Sequence, residues 1–194
     1  MFVNCAFDAQ FQPLFYGIVF AIVRSGFRAR CALEADDALE NRFAKIQNII
    51  AECRYSIHDI SRTEADGDPP LPRFNMPLEL GVFIGARRYG GADHAEKRAL
   101  ILDTIPYRYQ RFMSDIAGQD IQYHNGSVTE AITRTASWLR NKSRRSTVPG
   151  GAAIAAEYAE FQAALPSILA ELGLEAHEMT FNDYLVLIES YVTP

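Results

Sequence analysis

Short apolar runs alternate along the chain with segments of helical periodicity, and this alternation limits the folds that the chain can adopt. Most of the apolar runs are separated by segments with apolar residues three and four positions apart, the pattern of amphipathic helices. Strands that alternate with helices over short connections predict a parallel sheet with helices on both faces. The predicted strands are residues 1–7, 28–33, 55–60, 98–103 and 121–124.

The predicted fold class is therefore α/β. We expect a flavodoxin-like or Rossmann-like, five-stranded and mainly parallel sheet in the order 2-1-3-4-5. A basic stretch with Ser, Pro and Gly at 142–151 indicates a linker. This divides the chain into an α/β domain, residues 1–143, and a C-terminal helical extension, residues 152–194.

Two helices are predicted in the extension, over residues 152–172 and 181–191. Their apolar residues recur at helical spacing and form a stripe. An apolar stripe that a domain need not bury by itself suggests docking or self-association. We therefore expect a homo-oligomer.

Composition excludes several classes of protein. The net charge of −5 argues against a nucleic-acid binder, so no direct contact with nucleic acid is expected. Cys5, Cys31 and Cys53 are too few and too widely spaced for a disulfide framework or a zinc site, and they predict reduced thiols in a cytoplasmic protein. No signal peptide is indicated. The apolar run 14–23 is too short to span a membrane as a helix. No motif for a metal or a cofactor is visible.

The stretch from Cys53 to Ala86 carries the strongest functional signal. A buried strand ends there in polar residues, a loop rich in Asp, Gly and Pro follows, and a helix then begins with Asn75 as its predicted N-cap. Glu79 lies one turn into this otherwise apolar helix. A carboxylate in such a place needs a partner or a function. Because ligands of parallel sheets bind at the carboxyl ends of the strands, we expect Asp59, Ser61, Asn75 and Glu79 to converge there.

Three segments together resemble the nucleoside 2-deoxyribosyltransferase-like superfamily, which shares its fold plan with TIR domains. They are FVNCAFD at residues 2–8, CRYSIHDIS at 53–61 and FNMPLELGVFIGA at 74–86. Members of this superfamily carry a Glu-Leu-Gly helix whose glutamate is the catalytic nucleophile. The resemblance covers residues 1–141. It implies that Glu79 is the nucleophile at an anomeric carbon.

The other candidate site residues follow from their positions at strand ends. Asp59 is the first candidate for the acid that helps the base to depart. The residues expected to bind the substrate are Asn4, Phe7, Asp8, Ser61, Asn75 and Tyr107.

Structural alternatives stay open for several of these residues. Glu79 could be an acid stabilised by the helix dipole. Asp59 could cap a turn, and Asn4 could hold its own turn rather than a ribose. His58 points away from Asp59 along the strand and is expected to be a hydrogen-bonded core histidine. Tyr107, with the two residues after it, is a candidate for base stacking or phosphate binding.

The expected function is cleavage or transfer at an N-glycosidic bond of a nucleoside, a nucleotide or NAD. Glu79 would react as in retaining glycoside hydrolysis, and hydrolase and transferase chemistry both remain open. The alternative is a non-catalytic nucleotide-binding or signalling module of the same fold. A protein with a purely structural or interaction role is the third possibility.

Overall fold

A computed structural model describes residues 1–34, 39–65 and 71–192. Parallel strands form its sheet, in the order β1-β2-β3-β4. These strands are β1 (Phe2–Asn4), β2 (Tyr55–Asp59), β3 (Arg98–Asp103) and β4 (Gln122–Tyr123). The predicted α/β class with a parallel sheet is confirmed.

The sheet has four strands rather than the predicted five, because residues 28–33 do not form a strand. Only Arg30 pairs with the sheet, through a parallel bridge to Phe2. Arg30 N–H donates to Met1 O at 2.9 Å, and its carbonyl accepts from Val3 N–H at 2.8 Å. The predicted edge strand is thus reduced to one residue. That residue still lies beside β1, as the predicted order requires.

Six α-helices are seen in the described part of the chain. Asn41, just before the second helix, accepts hydrogen bonds from the backbone N–H groups of Phe43 and Ala44. Ser127 caps the fourth helix in the same way, through Glu130 N–H. The helices are α1 (Gln12–Arg24), α2 (Arg42–Glu52), α3 (Asn75–Tyr89), α4 (Val128–Ser143), α5 (Gly151–Leu172) and α6 (Phe181–Val192).

Two predicted helix starts are corrected by the structure. Apolar residues at helical spacing over residues 39–53 predict a second helix, but this helix begins at Arg42, because Asn41 supplies the cap. The predicted N-cap Asn75 is itself the first residue of α3, and Phe74 precedes it without a capping side chain. The acidic residues Asp36 and Asp37, which favour a helix start by their charge, lie outside the described residues.

The two faces of the sheet are covered by different helices. On one face, Val3, Ile57 and Leu100 belong to the largest hydrophobic cluster, together with residues of α1, α4, α5 and α6. On the other face, Phe2 packs with residues of α2 and with Phe83 of α3. Helix α1 approaches α4 closely at Gly17, where a Cβ would lie 2.6 Å from Cγ1 of Val128.

The C-terminal helices pack on the α/β part of the chain. Ile154 and Phe161 of α5 and Tyr184 of α6 are fully buried in the cluster that also holds α1. Arg24 of α1 forms an ion pair with Glu157 of α5. The apolar stripe on which the predicted homo-oligomer rested is therefore used inside the chain, and the oligomer stays a prediction.

A helix that crosses a membrane must be about 20 residues long and predominantly apolar. None of the described helices combines the length and the apolar character that crossing a membrane requires.

Candidate functional site

Glu79 lies in a cavity between α3 and α2. The cavity has a volume of about 320 Å³. Helix α3 supplies Glu79 one turn after its start, and the beginning of α2 supplies the opposite wall. The lining residues are Asn41, Arg42, Phe43, Ile46, Asn75, Leu78 and Glu79.

Burial governs the ionisation of Glu79. It raises the pKa of this carboxyl group to about 7, although the positive charge of Arg42 acts in the opposite direction. Near neutral pH the group is therefore divided between its acidic and its ionised form. A carboxyl with this behaviour can serve as a base or a nucleophile when ionised and as an acid when protonated.

Three of the predicted acidic residues influence the thiol of Cys5, the residue that follows β1. Burial is the largest of the effects that raise the pKa of the Cys5 thiol well above its usual value. The charges of Asp59, Cys31, Glu79 and Asp8 raise this pKa further. Such a high pKa keeps this thiol protonated and unreactive.

Asn4 ties β1 to its neighbours. Its Nδ2 donates to Nδ1 of His58 at 2.9 Å and to the carbonyl oxygen of Met76 at 2.8 Å. His58 is fully buried and packs edge-on against Phe83, and burial lowers its pKa to about 3. The predicted core histidine is confirmed. The amide of Asn4 holds the start of α3 in place, so its structural role reaches beyond its own turn.

Asp8 is held by two arginines. Its Oδ2 lies 2.5 Å from Nη1 of Arg73 and 3.3 Å from Nε of Arg62, and its Oδ1 accepts from Phe11 N–H. Burial pushes the pKa of Asp8 upward, but the bond from Phe11 and the two arginines together hold it below its ordinary value. The carboxylate therefore anchors the loop after β2 to the loop after β1.

Asp59 is 1% exposed and has partners at both oxygens. Oδ1 accepts from the backbone N–H of Ser61 at 2.9 Å and from its hydroxyl at 2.5 Å. Oδ2 lies 3.0 Å from Nε2 of His124. Nδ1 of His124 accepts from Gly126 N–H, so Nε2 carries the proton that is donated to Asp59.

The sequence reasoning did not single out His124. The signal that could have found it is its position as the last residue of the predicted strand 121–124. Asp59 and Asp103 are the last residues of β2 and β3 in the same way. Its bond to Asp59 joins positions 65 residues apart, which no local pattern reveals.

A second buried pair follows β3. Nε of Arg108 donates to Oδ1 of Asp103 at 2.7 Å, and Nη2 donates to Ile60 O at 2.6 Å. Burial raises the pKa of Asp103 despite this arginine. The predicted aromatic group is split, since Tyr107 is 71% exposed and Tyr109 is buried. The guanidinium group of Arg108, between these two tyrosines in the sequence, is occupied by its hydrogen bonds to Asp103 and Ile60.

The predicted site residues line different cavities. Glu79 and Asn75 share the one described above. Phe7 lines a larger cavity, of about 570 Å³, which adjoins the first because Arg42 lines both. Ser61 lines a third, of about 370 Å³, at the carboxyl ends of β2, β3 and β4, together with His124 and other residues. Asn4 and Asp59 are buried and are not among the residues that line these three cavities.

No metal site is formed by the part of the chain that the structure describes, since no three His, Cys, Asp or Glu side chains are placed to hold an ion. The polar groups that line these cavities are carboxyl, amide, hydroxyl, guanidinium, imidazole and amine groups. Glu79 lines the cavity between α3 and α2, and the pKa of its carboxyl group is raised by burial.

Comparison of the chain with models of protein families, with curated proteins and with solved structures found no match in any of the three.

Proposed function

We propose that the chain cleaves or transfers at the N-glycosidic bond of a nucleoside, a nucleotide or NAD, with Glu79 as the nucleophile. The position of Glu79 carries this proposal. Its carboxyl group lies on an apolar helix and lines a cavity beside Arg42, with a pKa of about 7. Placing an ionisable group in this way costs stability, which is typical of groups that are kept for chemistry.

In the proposed reaction the ionised Glu79 attacks C1′ of the ribose. The bond from C1′ to the base breaks, and its electron pair leaves with the base. Water then attacks C1′ in a hydrolase, or a second base does so in a transferase, and Glu79 is released as a carboxylate. Because this carboxyl must be ionised, kcat/KM should rise with pH through about 7.

Asp59 has a positioning role in this proposal rather than that of the acid. It is 1% exposed, and both oxygens are engaged by Ser61 and His124. A base that needs a proton in order to leave therefore takes it from water. Asp59 holds the ends of β2 and β4 against each other, close to the end of β1.

The larger cavity beside Arg42 is the place for the base. Phe7 and Tyr16 supply aromatic surface, and Gln12 and Asn182 supply polar groups. Bases stack on aromatic rings and are oriented by a few polar groups, which this lining provides. Arg42 stands between this cavity and Glu79, where it can meet an anionic group of the ligand.

The test is release of free base from NAD and from a panel of deoxynucleosides. Glu79→Gln should abolish the release, because an amide cannot act as the nucleophile. The matched control is Glu171→Gln, which changes an exposed glutamate of α5 and should leave the release unchanged. Release that is equal in the Glu79→Gln variant and in the wild type would contradict the assignment.

The alternative function, a nucleotide-binding or signalling module without turnover, makes a different prediction in the same experiment. Binding without chemistry raises the unfolding temperature with ligand concentration but releases no base. The engaged, buried state of Asp59 is the observation that favours this alternative. A chain that neither releases base nor gains thermal stability from any of these ligands would contradict both functions.

A further inference from the structure

Strand β4 covers only one end of the edge of β3. It pairs with β3 at Leu102 and Asp103 alone. β3 begins four residues earlier, at Arg98, and β2 pairs with it from that residue onward on the other side. In the described part of the chain, the first four residues of β3 therefore form an open sheet edge.

The direction of the backbone groups of β3 follows from three hydrogen bonds. Arg98 N–H donates to Arg54 O, and Leu102 O accepts from Ile60 N–H, both on the side of β2. Asp103 O accepts from His124 N–H on the opposite side. Because successive residues of a strand point to opposite sides, the N–H and C=O of Ala99 and the N–H of Ile101 point to the open edge.

This edge forms the floor of a groove of about 620 Å³. Helix α3 forms one wall with Phe83, Ile84 and Arg87. Helix α4 forms the other wall, and residues 119–123 close one end. The groove residues contributed by α4 are Thr133, Arg134, Ser137, Trp138, Asn141 and Lys142. A strand added to a sheet lies about 4.8 Å from its neighbour, between the layers that cover the two faces, and this groove has that arrangement.

The charges of the groove are mainly positive. Its lining includes Arg87, Arg134 and Lys142 but only one acid, Asp120. Nε of Arg134 is buried without a hydrogen-bond partner among the residues that the structure describes, while its Nη2 lies 3.3 Å from Oε2 of Glu130 in the same helix. The whole chain carries a net charge of −5, so this basic lining is a local feature. It attracts an acidic occupant and disfavours a second copy of the same basic groove facing it.

We propose that the groove binds an extended acidic segment of a partner protein, which adds to the sheet as a strand beside β3. The main chain of Ala99 and Ile101 supplies the hydrogen bonds. Alternate side chains of the bound segment point towards Phe83 on one wall and Trp138 on the other, while its acidic residues meet Arg87 and Lys142. The inference does not involve Glu79, so it can fail or hold independently of the proposed function.

The test begins with a displayed library of random twelve-residue peptides selected on the full chain. The selected sequences should be rich in Asp and Glu, with affinities on the order of micromolar. Arg87→Glu and Lys142→Glu should each weaken binding about tenfold. The matched controls are Arg88→Glu and Arg140→Glu, exposed neighbours on the same two helices that do not line the groove. These controls should bind within about twofold of the wild type.

Strand addition is then separated from simple charge attraction through the backbone. Ala99→Pro removes the N–H that points into the groove but leaves the pairing of β3 with β2, and it should abolish binding. N-methylation of the selected peptide, one amide at a time, should weaken binding at every second position. This series also replaces the proline variant if that variant does not fold.

Three outcomes would overturn the inference. The library could enrich no peptide whose binding depends on Arg87 or Lys142. The N-methyl series could show no alternation. The wild-type chain could form a dimer that Ala99→Pro dissociates, which would make a second copy the occupant.

Discussion

Nε2 of His124 donates a hydrogen bond of 3.0 Å to Oδ2 of Asp59, and both side chains are 1% exposed. This bond connects the residue after β4 with the last residue of β2 across the end of β3. The backbone N–H of Gly126 fixes the imidazole tautomer, and Ser61 occupies the other carboxylate oxygen. The ends of β2 and β4 are therefore held together by side chains as well as by the sheet.

Removing His124 should destabilise the fold. His124→Ala leaves a buried carboxylate oxygen and the Gly126 N–H without partners, which should lower the free energy of unfolding by about 2–4 kcal/mol. Urea unfolding monitored by circular dichroism measures this loss. His177→Ala, at an exposed position, should change the stability by less than about 0.5 kcal/mol. Equal stability of the two variants would show that the bond to Asp59 contributes nothing.

Lys97 makes a second prediction, because it caps the end of α2. The residue is 2% exposed, and its amine donates to the carbonyl oxygens of Ile50, Ala51 and Cys53 at 2.5, 3.2 and 2.6 Å. Positive charge at a helix C-terminus is also favourable.

Lys97→Met keeps the length of the side chain but leaves these three carbonyl groups without their donor. The free energy of unfolding should fall by about 2–3 kcal/mol in a urea titration. Lys142→Met changes an exposed lysine of α4 and serves as the control. A wild-type midpoint in the Lys97→Met variant would contradict the capping role.

Much of the fold could be predicted from the sequence, because each strand and helix carries a local pattern. Four of the five predicted strands are present and run parallel. The fifth, at residues 28–33, was predicted from the alternation of apolar residues with Arg28 and Arg30. In the structure Arg30 pairs with Glu34 and with Glu52 of α2, and the chain turns away after a single bridge to β1. An edge strand has one neighbour only, so contacts outside the sheet, here the ion pairs of Arg30, can outweigh its local pattern.

The candidate site was predictable only in part, because it depends on contacts between distant segments. The sequence indicates that Glu79 lies on an apolar helix. It does not show that α2 packs beside α3, so that Arg42 lines the same cavity as the glutamate. Nor does it show that Asp59 is hydrogen-bonded to His124, 65 residues further along the chain.

Asn4 makes a third prediction, which separates its structural role from the predicted contact with a ribose. Asn4→Ala leaves Nδ1 of His58 and the carbonyl oxygen of Met76 without their donor. The free energy of unfolding should fall by about 1–3 kcal/mol without any ligand present. Asn48→Ala, at an exposed position in α2, is the control and should be close to neutral. Unchanged stability with weaker ligand binding would instead support the ribose contact.

The burial of Glu79 should be measurable as a pH-dependent stability difference between the wild type and Glu79→Gln. The pKa of this carboxyl is about 7 in the folded chain, against an ordinary value of 4.5. The folded state therefore binds the proton of Glu79 more tightly than the unfolded state does. The contribution of this proton to the free energy of unfolding is complete below pH 4.5 and is lost as the pH rises through about 7. Relative to Glu79→Gln, which does not titrate, the wild type should lose on the order of 2 kcal/mol between pH 4.5 and pH 8. Urea titrations across this range measure the difference, and Glu171→Gln should follow the wild type at every pH.

A gap between the wild type and Glu79→Gln that stays constant with pH would mean that the carboxyl is not buried as the structure shows. The proposed nucleophile would then have an ordinary pKa.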